Sequence, residues 1–378
     1  MADADAIVLG LGGMGTAAAW HLARRGARVL GLEQFALGHT LGSSHGHSRI
    51  IRQAYYEHPS YVPLVRRAYQ GWYDIEQTLG RHLLTACPCL TIGRSDGELV
   101  SGVLRSAEEH SLRIDALRPD ELPARFPAFR PLATGEVGIV EHTAGILHVD
   151  DCVRAMADAA RALGVDLREN ERVVSWHAEG DGVRVVTDKR TYTASSLVIT
   201  AGPWAGPLLG AMGRSLSVMR QVVLWLRPDD PSLYRRDTFP VFVAEGEDGV
   251  FYGNPMLDPR GVKVGRHYGA GELPSVEAVE REIALEDEAP VRAFLRRRIP
   301  GADGERRDAS TCVYTLTPDR HFLIDRHPES ERVVVAAGFS GHGFKFAPVV
   351  GEILAEMALD GGTKWPVGLF GRARVMGE

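Results

Sequence analysis

Cysteine is scarce in this sequence. The 378 residues contain four, Cys87, Cys89, Cys152 and Cys312, which is too few for a disulfide framework in a chain of this length. We therefore expect a reducing, cytoplasmic compartment. Cys87 and Cys89 are separated by one proline and have no neighbouring cluster of Cys or His. We expect no metal site there and interpret the pair as packing residues.

Targeting segments, long apolar runs and excess basic charge are also missing. The N-terminus enters an apolar strand at once and the C-terminus carries no peroxisomal tripeptide, so no leader peptide is expected. No apolar run is long enough to cross a bilayer. The 43 Lys and Arg residues against 49 Asp and Glu give a net charge of -6, whereas nucleic-acid binding usually needs a basic surface. These absences point to small-molecule partners, not to a membrane or a nucleic acid.

Glycines mark the first turn of the chain. A continuous apolar run over residues 6–10 predicts a strand buried on both faces, and residues 13–25 predict a helix. Between them, Gly10, Gly12 and Gly15 form G-x-G-x-x-G. The first glycine allows a tight turn, the second lets backbone N–H groups approach a pyrophosphate, and the third brings helix and strand together.

An acidic residue follows at the spacing that this motif requires. Glu33 ends the next predicted strand, residues 28–32, and would accept hydrogen bonds from ribose hydroxyls. The first helical residues, Gly13 and Met14, would lie against the phosphates, because a helix N-terminus carries partial positive charge. The segment therefore predicts a bound dinucleotide, without separating FAD from NAD.

Two further α/β stretches follow. One begins near Asp150, which is expected to cap a helix over 151–163, and the other covers 332–358. Shorter, more polar strands with Pro and Gly lie between them. We predict an α/β fold in which a Rossmann-like nucleotide domain is interrupted by an inserted mixed-sheet α+β substrate domain. The nucleotide domain would comprise residues 1–82, 145–216 and 315–378, and the substrate domain 83–144 and 217–314.

Several charged or reactive residues are ambiguous on spacing alone. Arg49 and Arg52 are three residues apart and would share a face if helical, although a solvated surface pair is the simpler interpretation. Lys263 alternates with Gly265 and His267 in a predicted strand, on what is usually its solvent face. Cys312 lies in a β-prone run. It is either a small buried hydrophobic residue or the site of a thioether link to a flavin, and spacing does not decide between these interpretations.

Residues 338–346, GFSGHGFKF, are less ambiguous. Three glycines, three phenylalanines, a histidine and Lys345 lie between a buried strand and a buried helix. This composition makes a poor structural turn but suits a loop that faces a ligand. The following helix N-terminus and the lysine would both add positive charge.

Taken in order, these segments resemble one family. The chain is similar, over essentially its whole length, to the monomeric sarcosine oxidase and N-methyltryptophan oxidase family of D-amino-acid oxidase-like flavoproteins. The resemblance is carried by the glycine motif and by the stretches SSHGHSRIIRQAYYEHPSYVPL, RQVV, VKVGRH, CVYTLTPDRHFLID and VVVAAGFSGHGFKF. It implies the FAD fold of D-amino-acid oxidase and glutathione reductase.

The resemblance also implies roles for individual residues. FAD would be bound covalently, by an 8α-S-cysteinyl link to Cys312. Lys263 would activate oxygen beside flavin N5, and Arg49 would lie over the flavin ring. Arg52 and Lys345 would hold the substrate carboxylate. The remaining implied residues are His45, His267, Tyr314, Tyr252, Asn254 and Phe242 in the catalytic pocket, and Ser43, Ser44, Gly341, Gly343 and Phe344 around the cofactor.

The reaction that the resemblance implies is oxidation of a secondary amino acid by molecular oxygen. Sarcosine would give glycine, formaldehyde and hydrogen peroxide, in a monomeric enzyme. Asn254 stands where an aromatic is usual, Phe242 where a thioether is usual and Arg320 where an acid is usual, which leaves the accepted side chain open. The alternatives are an oxidase or dehydrogenase of N-methyltryptophan, proline or pipecolate, or a non-catalytic flavoprotein subunit. Retention of the implied reactive residues argues against that subunit.

Overall fold

The structure, a computed structural model, describes residues 2–377. Numbered along the chain, its strands are β1 Ala4–Leu9, β2 Val29–Leu32, β3 Arg49–Ile51, β4 Leu84–Ala86, β5 Cys89–Arg94, β6 Ile114–Leu117, β7 Glu136–Glu141, β8 Gly145–Leu147, β9 Asp166–Arg168, β10 Val173–Glu179, β11 Gly182–Thr187, β12 Thr191–Ile199, β13 Ser217–Leu226, β14 Val241–Gly246, β15 Gly249–Asn254, β16 Val262–His267, β17 Glu272–Leu273, β18 Arg306–Leu316, β19 Leu323–His327 and β20 Ser330–Ala337. Its helices are α1 Gly13–Arg24, α2 Tyr61–Leu79, α3 Glu98–Glu109, α4 Glu121–Arg125, α5 Val149–Ala162, α6 Ala205–Leu208, α7 Gly210–Gly213, α8 Leu285–Arg298, α9 Ala347–Asp360 and α10 Ala373–Met376.

A parallel sheet forms the first layer. Strands β20, β12, β1, β2 and β9 lie side by side and run in one direction. Strand β19 pairs antiparallel with β20, β11 pairs antiparallel with β12, and β10 pairs antiparallel with β11. Alternate residues of β1 enter different apolar clusters, Ala6 and Val8 with the helices on one face and Ile7 and Leu9 on the other. Both faces are covered, which explains why β1 is a continuous apolar run.

Two glycines of the first turn are required by its geometry. Gly10 has φ +87°, a conformation that costs little only without a side chain. A Cβ on Gly15 would lie 1.8 Å from the carbonyl oxygen of Gly10. The third glycine of the motif therefore allows helix α1 to pack directly on the end of β1, as the sequence predicts.

A mixed sheet of nine strands forms the second layer. Its order is β17, β13, β16, β15, β14, β5, β7, β6, with β18 also paired to β13. The β14–β5 pair is parallel and the other pairs are antiparallel. Its strands come from the two stretches predicted for a substrate domain, except that β18 ends two residues beyond residue 314, and those of the parallel sheet come from the other three stretches. The division into domains remains a prediction.

Strands β3, β8 and β4 form a small antiparallel sheet. Arg49 lies in this sheet, so the condition for sharing a helical face with Arg52 is not met. The interpretation as a solvated surface pair is wrong, because Arg52 is only 5% exposed. The expected cap at Asp150 is also wrong, since α5 begins at Val149. The Asp150 carboxylate instead accepts the backbone N–H of His47 at 3.0 Å. Every helix within residues 2–377 is too short or too polar to span a bilayer.

Candidate active site

A cavity of about 460 Å³ is lined by residues of both large sheets. Its wall includes the glycine-rich turn after β1, Glu33, the loop before β3, several residues of β15 and β18, and the loop before α9. The predicted site residues in this wall are Gly10, Gly12, Gly13, Met14, Glu33, Ser43, Ser44, His45, Arg49, Arg52, Tyr252, Asn254, His267, Cys312, Tyr314, Gly341, Gly343, Phe344 and Lys345. Segments far apart in the sequence thus meet around one space.

One part of the wall has the chemistry of a dinucleotide site. The carboxylate of Glu33 accepts the backbone N–H groups of Leu11 at 2.9 Å and Phe35 at 3.1 Å. These bonds hold the acid in place and leave lone pairs for ribose hydroxyls. Burial raises the pKa of Glu33, and the backbone donors oppose that rise.

The glycine-rich turn leaves little space for side chains at this wall. A Cβ on Gly12 would lie 3.2 Å from the Ser44 hydroxyl oxygen, and one on Gly13 would lie 2.7 Å from the Phe344 ring. The Gly13 N–H donates to Ser44 Oγ at 3.1 Å. Bare backbone at the start of α1, facing a cavity, fits the phosphates of a dinucleotide.

Cys312 is buried next to a cation. An Arg49 N–H donates to its Sγ at 3.4 Å, and the same guanidinium donates to the carbonyl oxygens of Ser43 and Ser48, both at 2.8 Å. Burial by itself would raise the pKa of Cys312, but Arg49, His45 and Lys263 together lower it to about 6. Such surroundings favour the thiolate, which is the reactive form of a cysteine.

Lys263 is buried, with 3% of its surface exposed, so the expectation of a solvent-facing lysine is wrong. The segment before β3 covers this face of the sheet. Lysine Nζ donates to the carbonyl oxygens of Gly46 at 2.7 Å and Ser48 at 2.9 Å. Burial, reinforced by the nearby Arg49 cation, lowers the pKa of Lys263 well below its usual range.

Arg52 is paired inside the protein. Its guanidinium contacts the Glu57 carboxylate at 2.9 and 3.1 Å and donates to the Ala54 carbonyl oxygen at 2.8 Å. It also lies 4.5 Å from the centre of the Tyr55 ring. Burial opposes ionisation of Glu57, but attraction to Arg52 lowers the pKa of this carboxyl to about 2. The pair therefore carries no net charge into the cavity.

Lys345 supplies the excess positive charge beside this pair. Its Nζ donates to the His342 carbonyl oxygen at 2.6 Å and to the Tyr55 hydroxyl at 3.2 Å. Burial, reinforced by Arg52 and opposed by Glu57, lowers the pKa of Lys345 to about 7. Near neutral pH this corner of the cavity can offer one net positive charge, the complement of one carboxylate.

Neutral polar groups lie near these charges. His267 Nδ1 and the Tyr314 hydroxyl are 3.2 Å apart. Burial lowers the pKa of His267 to about 3 and raises that of Tyr314 well above its usual range. Both side chains are therefore uncharged hydrogen-bonding groups at neutral pH.

The structure corrects the expectation that Phe242 borders the substrate. Phe242 is fully buried in an apolar core on the far side of its strand, with its ring centre 5.9 Å from that of Phe294. The next residue, Val243, lines the cavity instead. Adjacent strand residues point to opposite faces of a sheet. A shift of one position therefore moves a side chain from the cavity wall to the apolar core.

Glu57 and His342 are site residues that sequence reasoning missed. Both line the cavity, and His342 Nδ1 lies 2.8 Å from the Tyr55 hydroxyl. The sequence did contain a signal for Glu57. The predicted pocket has more cations than acids, and buried charges are usually paired, so an acidic partner was to be expected. Arg320, whose effect was not predicted, pairs with Glu272 at 2.6 Å. Its carbonyl oxygen lies 3.0 Å from His342 Nε2.

The parallel sheet and its glycine-rich turn define a dinucleotide-binding protein, whose cavity also contains a buried cysteine and buried cations. The chain belongs to the FAD dependent oxidoreductase family, and its residues 5–357 match the sequence pattern of that family. This match confirms the predicted FAD-type fold and the dependence on FAD, and the relatives described next confirm the predicted family.

Individual relatives resemble nearly the whole chain. Over 376 residues it is 43% identical to the monomeric sarcosine oxidase of Streptomyces avermitilis, covering 98% of this chain and 97% of that protein. It is 33% identical over 375 residues to the N-methyl-L-tryptophan oxidase of Yersinia pestis, covering 98% and 99%. The solved structure of NikD, described as an unusual amino acid oxidase essential for nikkomycin biosynthesis, matches with a TM-score of 0.86 at 27% identity, covering 97% of each chain.

Proposed function

We propose that this protein is an FAD-dependent oxidase of a secondary, N-methyl amino acid, with sarcosine as the first candidate. The observation that carries the proposal is the excess charge of Lys345 beside the neutral Arg52–Glu57 pair, in the same cavity as Cys312. A buried carboxylate needs a cation, and this corner supplies one. When bound, FAD supplies the acceptor for the electrons removed from the C–N bond.

The cavity also favours the reactive form of the amine. Transfer of a hydride from the carbon next to nitrogen requires a neutral amine. Arg49 and Lys345 contribute positive charge to the wall, whereas Arg52 is neutralised by Glu57, and a nearby cation disfavours an ammonium. Neutral His267 and Tyr314 can then orient the nitrogen by hydrogen bonding without adding charge.

Covalent attachment of FAD through Cys312 is part of the proposal. The buried thiol lies 3.4 Å from an Arg49 nitrogen and has a pKa of about 6. A thiolate population at neutral pH supports a nucleophilic role for this sulfur. Glu33, Gly12, Gly13 and Ser44 would hold the dinucleotide portion. Lys263 would supply positive charge for oxygen activation by taking up a proton as oxygen is reduced.

The proposal includes a cytoplasmic monomer. All four cysteines are free thiols, which suits a reducing compartment. The relative from Streptomyces avermitilis is named a monomeric enzyme. Sedimentation velocity should therefore give a single species at the chain mass of 41.2 kDa, and a concentration-dependent larger species would contradict it.

A panel of amines tests the proposed reaction. Purified FAD-loaded protein is offered sarcosine, N-methyltryptophan, proline and pipecolate in air, while flavin absorbance and peroxide are followed. We expect bleaching and peroxide with sarcosine, and formaldehyde in equal amount. Bleaching without peroxide would identify a dehydrogenase, and no bleaching with any amine would favour a binding-only flavoprotein.

Carboxylate binding should weaken above neutral pH. The pKa of Lys345 is lowered to about 7, so its charge is present below that pH and is lost as the pH rises through it. The dissociation constant of acetate, which has no group titrating in this range, should rise above about pH 7, approaching tenfold per pH unit at the limit. Flavin difference spectra measure it.

Lys345→Met is the matched variant for this titration. Because it lacks the titrating ammonium, its acetate affinity should be weaker and nearly independent of pH. A flat profile in the unmodified protein, or a slope that persists in Lys345→Met, would assign the pH dependence to another group.

A further inference from the structure

The hydrogen bonds around Lys263 lead to a second polar residue, Asn254. Lysine Nζ has three partners, the Gly46 and Ser48 carbonyl oxygens and Ser48 Oγ at 3.1 Å. The carbonyl oxygens can only accept. The Ser48 hydroxyl can accept from an ammonium or donate to a neutral amine, so the direction of this bond reports the protonation of Lys263.

Asn254 acts on that same hydroxyl. Its Nδ2 donates to Ser48 Oγ at 2.7 Å, and an amide nitrogen can only donate. If Lys263 is an ammonium, the serine oxygen accepts two hydrogen bonds, and no acceptor for its own hydrogen is found among residues 2–377. If Lys263 is neutral, the serine donates to Nζ and each of these hydrogens has an acceptor.

The other polar atom of the Asn254 amide is buried. Asn254 is 1% exposed, and its Oδ1 has no hydrogen-bond partner within the described residues. Ser48 and Asn254 line the cavity, whereas Lys263 is not part of its wall. The two side chains therefore connect Lys263 with the site.

We propose that Asn254 is a positioning residue that acts through Ser48 to hold Lys263 as a neutral amine, which takes up a proton from solvent when negative charge develops in the cavity. The inference rests on the proposed function and deepens it by assigning control of the oxygen-reactive lysine. Asn254 also stands at a position where the sequence departs from the family. The link is therefore a feature of this chain's own side chains.

Other charges face Lys263 and form the background for this effect. Arg49 from β3 and Arg260 before β16 disfavour the ammonium, whereas Asp150 of α5 favours it, and so does Cys312 of β18 as long as it is a free thiolate that is not linked to the flavin. The Trp225 ring centre on β13 lies 5.3 Å from Nζ. None of these residues donates to Ser48 Oγ, so changing Asn254 tests one specific hydrogen bond.

Lysine NMR can measure the effect directly, because the sequence has only Lys189, Lys263, Lys345 and Lys364. FAD-loaded protein containing ¹³C-labelled lysine is titrated over the pH range in which it stays folded, and Lys263→Met assigns the signal. Asn254→Leu removes the donor at similar size. We expect the Lys263 midpoint to rise by about half to one pH unit, the scale of one neutral hydrogen bond.

A double-mutant cycle decides whether the effect runs through Ser48. In a Ser48→Ala background, Asn254→Leu should move the Lys263 midpoint by less than about 0.2 unit, because the shared hydroxyl is gone. Ser196→Ala, which removes a buried hydroxyl of β12 outside the cavity wall, should leave the midpoint unchanged. FAD content and thermal unfolding check that each variant is folded, and the exposed Lys189 and Lys364 serve as internal references.

Two results would overturn the inference. One is an unchanged Lys263 midpoint in Asn254→Leu, and the other is an equal shift with and without the Ser48 hydroxyl. Neither result bears on the amine panel, so failure of this inference is distinguishable from failure of the proposed function. A second readout is the pH profile of reoxidation, whose midpoint should move with that of Lys263.

Discussion

Lys263→Met is expected to slow reoxidation of the reduced enzyme by oxygen by a factor on the order of 10² to 10³. Reduction by sarcosine without air should change less than about tenfold, since a favourable charge is missing only in the oxygen step. Oxygen gains negative charge in a buried site, where a nearby cation is worth far more than in water. Methionine is unbranched like lysine and only one atom shorter, but it cannot carry that charge.

Stopped-flow absorbance of the flavin measures both half-reactions separately. Lys189→Met is a suitable control, because it removes a lysine that lies outside the cavity wall. Lys263→Met also leaves the Gly46 and Ser48 carbonyl oxygens without their donor. FAD content and thermal unfolding should therefore be compared between this variant and the unmodified protein. Equal slowing of reduction and reoxidation would contradict an oxygen-specific role.

Cys312→Ser is expected to abolish covalent attachment of the flavin. After precipitation with acid, yellow colour should stay with the unmodified protein in the pellet and move to the supernatant in the variant. The reason is that a serine hydroxyl, unlike the Cys312 thiol with its pKa of about 6, is not ionised near neutral pH and is a far weaker nucleophile. Absorbance of the two fractions gives the result as a nearly complete redistribution.

Cys87→Ser provides the matched control for this experiment. Cys87 is also buried, but burial raises its pKa to about 11, so its thiol is inert. Flavin should remain in the pellet of this variant. Release of flavin from the unmodified protein would rule out the Cys312 linkage, and retention in Cys312→Ser would move the linkage to another residue.

Much of the fold is predictable from short-range patterns. The apolar run of β1, the three glycines and the helix that follows are neighbours in sequence, and their geometry follows from local sterics. The same reasoning groups the strands into parallel and mixed sets, because strands buried on both faces differ in composition from half-exposed strands.

The site is less accessible to such reasoning. Alternation correctly puts Lys263 and His267 on one face of β16 but does not say whether that face is covered. Phe242 and Val243 differ by one position, and only the strand's placement decides which of them lines the cavity. Glu57 was missed because its importance comes from its contact with Arg52.

The sequence by itself determined that a dinucleotide-binding turn exists and which reactive side chains are available. These properties depend on residues within one turn or on residue identity, and they need no knowledge of the rest of the chain. The tertiary structure decided that Arg52 is neutralised, that Lys345 carries the excess charge and that Asn254 connects to Lys263 through Ser48. The physical reason is that the pairing, burial and desolvation of charged groups depend on which distant segments come into contact. Local sequence patterns do not specify those contacts.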